Sequence, residues 1–274
     1  MHNAILVTND DGINSIGLKA IVDELNKNEF DVYVVAPSTQ VSGSGKSHTF
    51  HVKVSPFNMK NAVKSWAVDG RPADAVAIAI KHLLKGVDVK IIVSGINIGP
   101  NIGTMDFFTS GTIGAALEGV LFGKKSIAIS LGILRGIRSP AQVDLLYNAS
   151  RIAGKIVKMM LSEMLNNNAV DLININFPPT KPLGIKFSFL SWQSNISVKV
   201  EDKENCLFHV MGWETDNINE AYDDGPEGSD TYYLKRGFIT ITPLCLRCAI
   251  KTMVNERLYE KLQKVISDLD LMLE

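Results

Sequence analysis

The sequence predicts an α/β fold: a doubly wound, mostly parallel sheet, followed toward the C-terminus by an antiparallel hairpin extension and a terminal helix. Three observations predict it. Short apolar runs stopped by Gly or Pro recur through the first two-thirds of the chain, as strands buried on both faces require. Segments with apolar residues at helical spacing separate them, an alternation that builds a parallel sheet between helices. After Pro182 the alternation ends, and short strand-like runs follow one another.

Residues 5–8 form the first strand, ended by the polar turn Asn9-Asp10-Asp11-Gly12. Leu18, Ile21, Val22 and Leu25 are spaced for a helix over 17–25, and residues 31–37 are a second buried strand stopped by Pro37. A Ser/Gly-rich loop then runs from Ser38 to His48. Its Gly45-Lys46-Ser47 looks like the end of a phosphate-binding P-loop, but Gln40 stands where that motif needs Gly. The alternating residues 51–54 follow where it needs a helix.

A short apolar segment at 65–68 leads through Asp69-Gly70-Arg71-Pro72 into a helix over 73–84, with Pro72 suited to its first turn. Residues 89–94 are a third buried strand, opening into a Gly- and Asn-rich loop over 95–103. A small-residue helix starts at Ser110-Gly111-Thr112, and residues 126–131 are a fourth strand. Residues 144–165 read as a long amphipathic helix with Leu145, Ile152, Ile156, Met160 and Met164 along one side; 171–177, stopped by Pro178-Pro179, is a fifth strand. Residues 185–190, 196–200, 206–210 and 238–242 read as antiparallel ribbons, 216–230 as an acidic loop and 256–273 as the last helix. We expect one domain over 1–274, with its core at about 1–182 and the extension at about 183–274.

Composition narrows the partners. Of the 274 residues 46% are hydrophobic, enough for a substantial core, and the formal net charge is -1. With no long basic block, a nucleic-acid polymer or an anionic membrane is not expected, and small molecules are. No stretch reads as a leader or as 18 consecutive apolar residues, so a cytoplasmic protein is expected. Cys206, Cys245 and Cys248 are too few for a disulfide framework and are expected as reduced thiols. Cys245 and Cys248 have the spacing of half a zinc site, but no second pair completes it.

Asp10 and Asp11 are the chemistry-bearing pair. Adjacent carboxylates repel unless a cation or proton lies between them, so a pair at a strand's carboxyl end favours a divalent metal, although many Asp-Gly pairs simply make turns. The loop carrying Asn97 and Asn101 leaves a strand at the same sheet edge, where Gly allows close approach and Asn offers oxygen. Ser110, Gly111 and Thr112 offer hydroxyls and free N–H groups at a helix N-terminus, which suits phosphate.

Asn9-Asp10-Asp11-Gly12, Ala36-Pro37 with Ser42-Gly43, Ser94-Gly95-Ile96-Asn97 and Ser110-Gly111-Thr112 together resemble the SurE (survival protein E) family. Val68 to Asp74, Ala116-Leu117-Glu118-Gly119, Glu227-Gly228-Ser229-Asp230 and Thr240 to Leu244 continue the match in the family's order. The resemblance implies a Rossmann-like core and a metal-dependent phosphatase acting on nucleoside 5'- or 3'-monophosphates. It implies metal ligands at Asp10, Asp11, Ser42 and Asn97, and substrate or phosphate contacts at Asn9, Ser42, Gly43, Asn97, Asn101, Ser110, Gly111 and Thr112. Asp10 and Asp11 would be catalytic, with Asp10 as general base for water or, alternatively, as nucleophile.

The resemblance also implies a homodimer or homotetramer built by exchange of C-terminal segments. All four proposed ligands offer oxygen, which suits one Mg²⁺ or Mn²⁺. The chain departs from the family at Ser38-Thr39-Gln40-Val41, and where Thr104-Met105 leave Asp106 as the only acid before the Ser-Gly-Thr. His48 and His51 are candidate proton donors and Lys46 a candidate phosphate contact. A non-catalytic nucleotide-binding regulator is the alternative function.

Overall fold

The computed structural model describes residues 3–166, 169–193, 197–211 and 215–246. In chain order the elements are β1 (Ala4–Thr8), α1 (Ile16–Lys27), β2 (Asp31–Pro37), β3 (Lys53–Phe57), β4 (Lys64–Asp69), α2 (Pro72–Ile78), β5 (Val89–Ile98), α3 (Gly103–Thr109) and α4 (Gly111–Leu121). They continue with β6 (Lys125–Leu131), α5 (Pro140–Asn166), β7 (Leu172–Phe177), β8 (Ile185–Phe187), β9 (Ser197–Asp202), β10 (Leu207–Met211), α6 (Ile218–Ala221), α7 (Asp230–Lys235) and β11 (Ile239–Leu244). A π-helical turn, Ala79–Leu83, prolongs α2.

Among the described residues one large sheet has the order β3-β4-β2-β1-β5-β6-β7-β11-β8, parallel from β4 through β7. The chain winds outward from β1 to β2 and β4, then restarts at β5 and winds the other way. The reversal between β1 and β5 leaves a crevice beyond their carboxyl ends, the place where open α/β sheets bind ligands. Alternate strand residues face opposite layers. Ile5, Val7 and Val34 pack with α1 and α5, whereas Leu6, Val35 and Ile92 pack with α2 and α4. Each fully buried Leu or Ile contributes roughly 1.5–3 kcal/mol.

Ser15 caps α1, its hydroxyl accepting from Leu18 N at 3.2 Å. Several local expectations need correction. The third buried strand continues through Gly95 to Ile98, and the loop after it holds the short helix α3. Gly95 is obligatory there: its φ is +134°, and a Cβ would sit 2.3 Å from Ile129 O.

β11 pairs antiparallel with β7, as expected, whereas β8 pairs parallel with β11, and both complete the main sheet. Only β9 and β10 form a separate antiparallel hairpin among the described residues. The acidic stretch 216–230 contains α6. Of the stripe expected on α5, Ile156 and Met164 are buried and Ile152 and Met160 pack partly buried against the core, whereas Leu145 is only partly buried; Leu146, Ala149, Ala153, Val157 and Leu161 join the buried face. Cys245 is disulfide-bonded, against the expectation of reduced thiols; Cys206 is free and exposed. The terminal helix expected at 256–273 lies outside the described residues. No helix among the described residues is long and apolar enough to cross a membrane.

Candidate active site

The turn after β1 is fixed from within. Asn9 is fully buried, and its Nδ2 donates to Gly12 O at 3.1 Å and to Ser15 Oγ at 2.7 Å, locking the turn to the start of α1. Gly12 has φ +94° and approaches the Thr39 backbone, which a side chain would obstruct. The carbonyl of Asp10 accepts from Val41 N at 2.8 Å, so the Ser/Gly-rich loop is tied to the carboxylate turn.

Asp10 is buried against the N-terminus of α4. Its Oδ1 accepts from the Thr112 hydroxyl. Burial raises its pKa, opposed by that hydroxyl and by N–H groups that include those of Thr112 and Gly111. Gly111 makes the approach possible, since a Cβ would lie 2.7 Å from both Asp10 Cβ and Ser44 Oγ. Asp11 Oδ2 accepts from Ile98 N at 3.2 Å, and Oδ1 lies 3.4 Å from Gln40 Nε2, which also donates to Ser42 Oγ at 3.0 Å. Burial, and secondarily the charge of Asp10, push the pKa of Asp11 up to about 7.

On the other side of the crevice Asn97 Nδ2 donates to Gly99 O at 2.8 Å, which leaves its Oδ1 as the end for a ligand. Asn101 is held from three sides. Its N–H donates to Asn176 Oδ1 at 2.7 Å, its Nδ2 donates to Ser130 Oγ at 2.8 Å, and its carbonyl accepts from Asn174 Nδ2 at 2.8 Å. Asp106 accepts from the Tyr222 hydroxyl. Asp230 pins the approach to α3: its carboxylate takes the N–H groups of Gly103, Ser191 and Thr231 at 2.8–3.0 Å, and burial still holds its pKa above the usual range.

A cavity of about 130 Å³ collects Asp10, Asp11, Ser42, Gly43, Asn97, Asn101 and Ser110, with Gln40, Asp106 and Thr109 beside them. Asn9, Gly111 and Thr112 do not line it. They stand behind Asp10 and hold it. Ser110 caps α4, its hydroxyl accepting from Ile113 N at 3.2 Å.

Lys46 and His48 are not in the lining either. Lys46 Nζ lies 2.6 Å from Glu118 Oε2; His48 Nδ1 lies 2.9 Å from Asp74 Oδ1, and its Nε2 lies 3.4 Å from Glu118. His51 is exposed outside it. The sequence reading did not single out Gln40, Ser130, Asn174, Asn176 or Tyr222 as part of the site. Asn174 and Asn176 did carry a signal, two amides at period 2 in an otherwise apolar strand.

The lining fits a hard divalent cation. The buried Asp10 and half-buried Asp11, neighbouring carboxylates with raised pKa values, together with a serine hydroxyl and an amide oxygen, are the donor set that a cation would charge-balance. Among the described residues no cluster of three or more His, Cys, Asp or Glu gathers, so neutral oxygens and water would complete the shell.

Residues 5–197 match the family model of survival protein SurE. The chain is 34% identical over 269 residues to the 5'-nucleotidase SurE of Pelotomaculum thermopropionicum, covering 96% of this chain and 95% of that one. It is 35% identical to the 5'-nucleotidase SurE of Archaeoglobus fulgidus, covering 88% and 90%. The crystal structure of the SurE protein from Aquifex aeolicus superposes with TM-score 0.73 at 27% identity, over 96% of this chain and 99% of that one. The chain therefore belongs to the SurE family.

Proposed function

We propose that the protein is a divalent-metal-dependent phosphatase that hydrolyses nucleoside 5'- or 3'-monophosphates to nucleoside and phosphate. The observation that carries this reading is the single cavity joining Asp10 and Asp11 to Ser42, Asn97 and Asn101 at the β1/β5 reversal, in a chain whose relatives are named 5'-nucleotidases. Phosphoryl transfer asks mainly for positioning and charge neutralisation, and these residues supply both.

In this reading Asp10, Asp11, Ser42 and Asn97 hold one Mg²⁺ or Mn²⁺. When bound, the ion supplies Lewis-acid polarisation of phosphate and lowers the pKa of water. Asn101 and Ser110 face the phosphate, and Asp10 Oδ2, the oxygen that the Thr112 hydroxyl does not take, receives the proton of the attacking water. Assembly into a homodimer or larger oligomer through the β9–β10 hairpin belongs to the same reading. Phosphate release from a panel of nucleoside monophosphates, with Mn²⁺, Mg²⁺ or EDTA, tests it. Metal-dependent release is expected; nucleotide binding without turnover would leave a non-catalytic regulator.

A further inference from the structure

Behind the active site, between α5 and the carboxyl ends of β6 and β7, lies a second cavity of about 310 Å³. Leu131, Phe177, Leu145 and Ile152 form its apolar walls, and Arg151 and Lys181 also line it. Volume and lining are those of a small-molecule site, mostly apolar with few polar groups. Leu145 and Ile152 belong to the stripe expected in the core. α5 buries Leu146 and Ala153, while Leu145 and Ile152, only partly buried, stand in the cavity wall beside Ala149.

The charge is one-sided. Among the described residues no acidic side chain lines the cavity, so two cations stand at an apolar chamber without a counter-charge in that wall. Arg151 Nη2 donates to Asn148 Oδ1 at 2.9 Å, an uncharged partner. The complementary occupant is an organic anion with an apolar body.

The cavity also touches the active-site scaffold. Successive residues on a strand face opposite sides of the sheet. Leu131 and Phe177 line this cavity, while their neighbours Ser130 and Asn176 hold Asn101 on the other side at 2.8 and 2.7 Å. The Leu131 carbonyl accepts from Gly99 N at 2.9 Å, just beyond Asn97.

We propose that this cavity is a second ligand site for a small organic anion with an apolar body, and that its occupant is felt at Asn101 through Leu131 and Phe177. The probe is 8-anilinonaphthalene-1-sulfonate, a fluorescent ring-bearing anion, titrated into full-length protein. A saturable component is expected that weakens at least about tenfold in the Arg151→Gln/Lys181→Gln variant and is lost in Leu145→Trp, with melting temperatures showing that both variants fold. Equal titrations in all three proteins, or no saturable component in the unaltered one, would overturn the site. Coupling rests on the phosphatase reading, and its readout is nucleotide hydrolysis. The probe should change the Michaelis constant of the unaltered enzyme and not that of Leu145→Trp, and an equal effect on both would overturn the coupling. Fluorescence needs no turnover, so failure of the phosphatase reading remains distinguishable from failure of the site.

Discussion

The Thr112 hydroxyl donates to Asp10 Oδ1 from the first turn of α4, so the helix N-terminus proposed for phosphate is already engaged by a carboxylate of the protein. Thr112 has no exposed surface, and its role in this geometry is to aim Asp10. Thr112→Val keeps the shape and removes the donor. A lost hydrogen bond to a charged group is worth about 1.5–3 kcal/mol, which corresponds to roughly ten- to a hundredfold. Steady-state kinetics should show that loss mainly in kcat and in the metal concentration needed for activity. A change confined to KM would return Thr112 to phosphate contact.

Gly111→Ala tests the same joint by sterics. The added methyl would lie 2.7 Å from Asp10 Cβ and from Ser44 Oγ, so the carboxylate or the Ser/Gly-rich loop must move. Turnover should fall a hundredfold or so while the folded state persists, since a displacement of about 1 Å at a reacting group has that effect. Circular dichroism and kinetics together decide it, and near-normal turnover would show the joint to be tolerant.

Asp11 gives a pH dependence with a definite sign. Its folded-state pKa of about 7 lies above the ordinary 3.8, and that of Asp10 is raised too. The folded state thus binds these protons more tightly than the unfolded chain. The associated stability is fully present below the unfolded value and is lost as pH rises through about 7. In EDTA the melting temperature should fall between about pH 5 and pH 8, and Asp11→Asn should flatten the fall. Mn²⁺ should raise the melting temperature most at the alkaline end, where both carboxylates are ionised. A melting temperature that rises with pH in EDTA would contradict the arrangement.

The Ser/Gly-rich loop is latched at both ends, by Val41 N on the Asp10 carbonyl and by Lys46 on Glu118. Glu118 is buried and Lys46 about a quarter exposed, so Lys46→Met strands a carboxylate beside His48. Breaking a buried pair costs roughly 3–5 kcal/mol, and the partial exposure of Lys46 lowers that to about 1–3 kcal/mol. The melting temperature should drop by roughly 3–8 °C, with recovery in Lys46→Met/Glu118→Met. An unchanged melting temperature would leave the pair without structural weight.

The parts of the site legible in the sequence are those at strand ends and in the turns beyond them. Asp10, Asp11, Asn97 and Asn101 stand at strand ends flanked by Gly, where polar side chains have few structural reasons to cluster. Asn174 and Asn176 carry only the signal of two amides in an apolar strand, and the residue they hold, Asn101, explains them. Thr112 illustrates a different limit. A hydroxyl at a helix N-terminus reads equally as ligand contact or as support, and the 102-residue separation from Asp10 is bridged only by the fold. On α5 the predicted stripe shares Ile156 and Met164 with the buried one, and packing against α1 and β6 adds Leu146, Ala149, Ala153 and Val157.

The β9–β10 hairpin argues for assembly. Its register sets Val198 opposite Val210 and Val200 opposite Phe208, all on one face of a two-stranded sheet, and each is more than half exposed. A hairpin alone is marginal in water, and an apolar face on it needs a cover. Near the free edge of the main sheet, Ile185, Phe187 and Phe189 are likewise half or more exposed. A second copy of the chain meets both needs, and closed cyclic or dihedral assemblies are the commonest solution. Sedimentation of the full-length protein should give a dimer or larger species at micromolar concentration, and Val200→Glu/Phe208→Glu should shift it to smaller species without unfolding the α/β core. A monomeric boundary for the unaltered chain would show that the hairpin is covered in some other way.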